Sequence, residues 1–95
     1  MSNTRFKNKN NSAKVLAVLR SSRYGDIAGC VVTSGSIHAD RPVTLVRNGE
    51  VIGSDLAITT MKYNLESRTH ADEEQEFGVT LNFGGDIHED DVIEQ

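Results

Sequence analysis

Phe77, Val79, Leu81 and Phe83 recur at every second position, and no stretch of the chain repeats apolar residues at the 3.6-residue spacing of a long helix. Strict alternation places these four side chains on one face of an extended strand and leaves the opposite face polar. Shorter apolar runs broken by turn residues fill the rest. Residues 13–19 carry Val15, Ala17 and Leu19 on one alternation, with Leu16 and Val18 on the other. Residues 26–33 set Ile27, Gly29, Val31 and Thr33 against Ala28, Cys30 and Val32. Gly29 in mid-strand predicts a bulge or the close approach of another backbone. Residues 42–47 begin with Pro42, which suits the first position of a strand because no ladder donor is needed there. Asn48-Gly49, between Leu45-Val46 and Val51-Ile52, predicts a two-residue hairpin turn, since both residues accept positive φ. Residues 56–63 read as one further strand, and Val92-Ile93 as the last. Ile37 makes at most a brief pairing after the turn at Ser34-Gly35-Ser36.

Two segments read as non-repetitive. Residues 1–12 are basic and asparagine-rich, a tail or interdomain linker ahead of a domain spanning 13–95. Residues 64–75 are polar and acidic, with Leu65 the sole large aliphatic side chain, and read as a long exposed loop. Many short strands with such turns predict an all-β barrel or sandwich.

At 95 residues the chain makes one small domain, able to bury only roughly 60–65% of its unfolded surface. No run approaches the roughly 18 apolar residues of a membrane span. The single cysteine, Cys30, excludes an internal disulfide and fits a reducing cytoplasm. Net charge −4 conceals an asymmetry: residues 1–24 hold six cations and no acid, and the remainder four cations against fourteen acids. A basic arm beside an acidic body fits either a nucleic-acid or ribosome contact, or a solvated linker next to a solvated face.

Catalytic and metal signatures are missing. The chain has no Gly-x-x-x-x-Gly-Lys-Ser/Thr loop. His38, His70 and His88 are widely separated, with no ligand pair at a metal-binding spacing. Cys30 among Ala, Gly and Val reads as small core filler. The expectation is therefore a binding domain rather than an enzyme, needing no cofactor.

Taken in order, residues 13–94 resemble the C-terminal domain of bacterial translation initiation factor two. The resemblance is carried by Ile27-Ala28-Gly29-Cys30, Leu45-Val46-Arg47-Asn48-Gly49 before Val51-Ile52, Met61-Lys62, Glu76-Phe77-Gly78, and Asp86-Ile87 through Asp91-Val92-Ile93-Glu94. It implies a six-stranded antiparallel closed barrel like the second domain of elongation factor Tu. It also implies a cytoplasmic, monomeric module that binds the formylmethionyl end of initiator tRNA, within a longer GTPase that reaches the ribosome through other domains. The family's contact positions fall on Cys30, Tyr63, Glu76, Phe77 and Gly78. At two of them this chain departs from the family: Phe77 replaces a cysteine and Tyr63 an arginine. Phe77 either fills the pocket or points into the core, as its alternation with Val79 suggests. Tyr63 is either a strand-end residue or a platform for the terminal adenine. The alternative is a barrel of the same fold that has lost tRNA recognition and contacts a protein or the ribosome.

Overall fold

The computed structural model describes residues 11–21, 25–64 and 66–95. Residues 1–10 of the tail expected over 1–12, most of the turn before Gly25, and Leu65 lie outside the described residues, and Ser12 already belongs to the first strand.

Every regular element described is a strand. They are β1 (Ser12–Ser21), β2 (Gly25–Ser34), β3 (Ser36–His38), β4 (Val43–Arg47) and β5 (Glu50–Leu56). There follow β6 (Ile58–Tyr63), β7 (Glu66–Ser67), β8 (His70–Asp72), β9 (Glu76–Leu81) and β10 (Val92–Glu94). Eight strands form one sheet in the order β5-β4-β10-β1-β2-β9-β6-β7, and β3 pairs with β8 in a second. All pairings are antiparallel. No helix among the described residues is long and apolar enough to cross a membrane.

The turn chemistry explains much of this order. Asn48 (φ 53°) and Gly49 (φ 79°) are both left-handed, so Arg47 and Glu50 pair directly across a two-residue hairpin. The single strand expected over 56–63 is instead broken. β5 ends at Leu56 and β6 starts at Ile58, and Ala57 between them exchanges hydrogen bonds with Asn82, through its amide to Oδ1 (2.7 Å) and its carbonyl from the Asn82 amide (3.1 Å). Because β5 and β6 are consecutive in the chain yet stand near opposite ends of the ladder, the sheet must curl to bring them together.

The inner surface of the curl is the core. Val15, Cys30, Phe77 and Val79 meet there with Leu45, Met61 and Ile93, all nearly inaccessible. The expected loop over 64–75 is not one loop: it holds β7 and β8, and β8 delivers Ala71 opposite Ile37, both buried, over one opening of the curl. Ile37 sits 34 residues from its partner, a pairing that local periodicity cannot reveal. The side chain of Gln95 clamps β3 from the other side, accepting from the His38 amide and donating to the His38 carbonyl, each at 2.7 Å.

A bulge reverses the expected faces of β1. Pairing passes from Val15↔Cys30 to Ala17↔Gly29, leaving Leu16 as the extra residue beside Gly29. Beyond it, Val18 packs on the core while Ala17 and Leu19 face outward, Leu19 being 66% exposed.

The closing segment is pinned electrostatically. Asp91 is 1% exposed, a burial that an unpaired carboxylate would not tolerate. Arg47 grips it with two parallel bonds, Nε to Oδ1 at 2.9 Å and Nη2 to Oδ2 at 2.8 Å, and the His88 amide adds a third at 2.8 Å. Burial pushes the Asp91 carboxyl upward, but the guanidinium and the amide outweigh it and hold the group below the usual carboxylate range.

Candidate functional site

Four neighbouring strands present a row of in-register residues on their outer face: Ala17 on β1, Gly29 on β2, Gly78 on β9 and Lys62 on β6. Three of the four carry at most a methyl group, so the row is a trough across the sheet. Neither central glycine is demanded by the backbone. Gly29 and Gly78 have no positive φ. A Cβ at Gly29 would meet only the Ala17 carbonyl at 3.7 Å, and one at Gly78 only Ile27 and the Lys62 carbonyl at 3.8 and 3.9 Å. Both are ordinary contacts. Glycine in a strand interior weakens the strand, so what these two positions preserve is the empty surface above them.

The trough is walled differently on its two sides. One side opens into an apolar hollow of about 600 Å³ edged by Leu19, Ile27, Thr60 and Thr80. The other deepens into a depression of about 320 Å³ bordered by Leu16, Lys62, Tyr63, Asn64 and Glu76. Among the described residues neither the Lys62 ammonium nor the Glu76 carboxylate makes an ion pair. Tyr63, 46% exposed, stands at the end of β6, where the chain turns through Asn64 (φ 51°) into β7.

The five residues singled out from the sequence fall into two groups. Glu76 and Gly78 lie on this outer face, and Tyr63, in phase with buried Met61 but exposed at the end of β6, borders the same depression. Cys30 and Phe77 are partners across β2 and β9, and their side chains turn inward together, 1% and 4% exposed. What they offer the depression is main chain. Phe77 therefore packs in the core and leaves the trough unobstructed. The Cys30 thiol donates to the Ala28 carbonyl at 3.7 Å, and burial pushes its pKa up to about 12, the state of an inert thiol.

Residues that the sequence did not single out complete the face. Lys62, Gly29 and Asn64 line the same depression. Alternation could have found Lys62, two residues from Thr60 and out of phase with buried Met61, but its neighbours across β9 are set by register. The histidines, read as scattered, are corrected in part. β3–β8 pairing sets His38 opposite His70, with the rings stacked at 5.6 Å and an interplanar angle of 21°. Among the described residues no group of three or more metal-ligating side chains comes together. Arg68 lies over the Tyr63 ring, its guanidinium carbon 5.8 Å from the centroid.

Chemically the face offers an apolar wall, a floor of exposed main chain, one free cation and one free carboxylate among the described residues.

The chain is 38% identical over 82 residues to translation initiation factor IF-2 of Mycobacterium leprae strain Br4923, a match covering 86% of this chain and 9% of that factor. The factor of strain TN gives the same figures. The chain thus spans only a small part of the length of these relatives. GDP-bound aIF5B from Aeropyrum pernix shares the fold, with a TM-score of 0.67 at 23% identity over 90% of this chain and 14% of that one. No family model matches the chain.

Proposed function

The chain is an IF-2 C-terminal-like domain, and from that premise we propose that its trough holds the formylmethionyl end of initiator tRNA. The observation that carries the reading is the Ala17–Gly29–Gly78 floor, kept clear by glycines the fold does not require. Bare main chain on that floor lets an acyl-aminoacyl group approach closely enough to hydrogen-bond. The hollow beside Leu19 and Ile27 accepts a thioether side chain. Lys62, at the end of the row, disfavours a second positive charge, so a formylated nitrogen is accepted where a free ammonium is repelled. In this reading the curled sheet closes as a barrel of the elongation-factor-Tu domain-II type. The domain acts as a non-catalytic, monomeric module of a cytoplasmic GTPase factor whose other domains meet the ribosome.

Titrating the isotope-labelled domain with formylmethionyl-adenosine and with its unformylated counterpart tests this directly. Saturable amide shifts at Gly29, Lys62 and Gly78, at least tenfold stronger with the formyl group, are expected. Equal response to both compounds, or none with intact formylmethionyl-tRNA, would instead establish a diverged barrel that contacts a protein or the ribosome.

A further inference from the structure

β6 and β9 pair with one residue too many on the β6 side. Ile58 stands opposite Leu81, but from Thr60 onward the register moves by one. Thr60 then faces Thr80, Met61 faces Val79 and Lys62 faces Gly78, and Thr59 is the extra residue of a bulge. We infer that Thr59 and Thr80 are positioning residues: their hydroxyls hold this bulge, and the bulge sets Lys62 beside Gly78 on the outer face. That Lys62 there discriminates between ligands rests on the reading above, whereas the clamp on the register does not.

The core is the first argument. Ile58 packs against it and Met61 is buried within it, three residues apart on β6, whereas their partners Leu81 and Val79 are two apart on β9. Side chains alternate along a strand, so Ile58 and Met61 both face inward only if one residue is added between them. The near end of β6 cannot slide to absorb the difference, because Ala57 is held to Asn82 by bonds of 2.7 and 3.1 Å. Counted on from Ile58 and Leu81 without the extra residue, Met61 would lie opposite Gly78, and Lys62 opposite buried Phe77. The trough would then end in a thioether instead of a cation.

The hydroxyls are the second argument. Thr59 Oγ1 donates to the Thr80 carbonyl at 3.2 Å, and Thr80 Oγ1 lies 2.5 Å from Thr59 Oγ1 and 2.7 Å from Thr60 Oγ1. Each hydroxyl carries one proton, so a single order satisfies every contact: Thr60 donates to Thr80, Thr80 to Thr59, and Thr59 to the carbonyl. Thr80 is 6% exposed, and this relay supplies the partners that a buried hydroxyl needs. It also ties two consecutive residues of β6 to the one residue facing them on β9, the two-against-one arrangement of a bulge. Thr59 is exposed and lines neither the hollow nor the depression. It therefore acts on the face only through the residues whose register it sets, Lys62 lying roughly 10 Å further along the strand.

Thr59→Val keeps the shape and branching of the side chain and removes the hydroxyl, while Thr59→Ser keeps the hydroxyl. The first readout needs no ligand: cross-strand proton contacts measured by NMR in the labelled domain. The parent and Thr59→Ser are expected to show the Lys62–Gly78 contact. In Thr59→Val that contact should weaken at least twofold and a Met61–Gly78 contact should appear, with the Ile58–Leu81 contact retained as the sign of a folded sheet. The second readout is the ratio of affinities for formylmethionyl-adenosine and its unformylated counterpart. It should fall at least threefold in Thr59→Val, recover in Thr59→Ser, and fall no further when Thr59→Val is added to Lys62→Gln. A merely structural role would weaken both ligands alike and leave the ratio where it was, which would overturn the positioning of Lys62. An unchanged Lys62–Gly78 contact in Thr59→Val would overturn the clamp whatever the ligands do. A lost contact in a domain whose parent shows no formyl preference would uphold the clamp and remove the acyl reading instead.

Discussion

The closing segment and the outer face of β1–β2–β9–β6 lie in one small domain and treat polar groups in opposite ways. At the closure Asp91 is buried, and its carboxylate takes three donors, two from Arg47 and one from the His88 amide. Arg47 spends a further bond on the Asp86 carbonyl at 2.9 Å. Nearby, Asp26 accepts from Arg20 at 2.6 Å and from the Ile87 amide at 3.1 Å. On the outer face Lys62 and Glu76 have no ion-pair partner among the described residues, Leu16 and Leu19 are exposed, and two glycines leave main chain bare. Charges in the first region hold the fold together. In the second no such pairing is made among the described residues, and that contrast is what the proposed binding face rests on.

The largest expected effect breaks the saturated side. Arg47→Ala strands a buried carboxylate and should cost about 3–5 kcal/mol in urea unfolding, while whatever remains folded keeps its ligand affinity. If stability changed by under about 1 kcal/mol, the pair would be no more than a surface bridge. The same pair fixes a pH dependence. Because the folded Asp91 carboxyl lies below its ordinary value, its stabilisation is complete above the unfolded-state pKa, about 3.9. It is lost as pH falls through the folded value. Acid denaturation followed by circular dichroism should accordingly be steeper in the parent than in Arg47→Ala below that point.

Filling the trough tests the unsaturated side. Gly78→Val adds branched bulk where a Cβ meets nothing nearer than 3.8 Å, so unfolding free energy should change by no more than about 1 kcal/mol in either direction. Formylmethionyl-adenosine affinity should fall at least tenfold by calorimetry. A variant that binds normally would show that the trough is not the seat of the acyl group.

Cys30 sharpens the comparison from inside. With its pKa pushed up to about 12 and its side chain in the core, labelling by a thiol reagent at pH 8 should proceed only through opening of the domain. Its rate should rise in Arg47→Ala and stay near the parent's in Gly78→Val. Rapid labelling of the folded parent would contradict a buried Cys30. The smallest effect belongs to Lys62→Gln, which should flatten the salt dependence of binding to charged tRNA by roughly 0.7 of a unit in log–log slope without altering stability.

Much of the strand pattern was legible beforehand. The alternation through Phe77 and Val79 and the Asn48-Gly49 hairpin are local properties of the backbone, and both appear where the residues indicate, whereas the bulge expected at Gly29 falls on the facing strand, at Leu16. Of the residues of the proposed site, Tyr63, Glu76 and Gly78 came from the resemblance. Lys62 was not, because its place beside Gly78 depends on which residue of β9 it faces.

The sequence by itself determined that this chain forms short strands with two distinct faces, since a period of two follows from the pleat alone. Only the tertiary structure decided which face is which. One extra residue at Leu16 turns Val18 inward and Leu19 outward, and a one-residue shift reverses every side chain beyond it. The same holds for contacts made at long range. The meetings of Arg47 with Asp91, of Ile37 with Ala71 and of His38 with His70 join residues more than thirty positions apart. Their pairing is set by how the sheet curls, which no local pattern encodes.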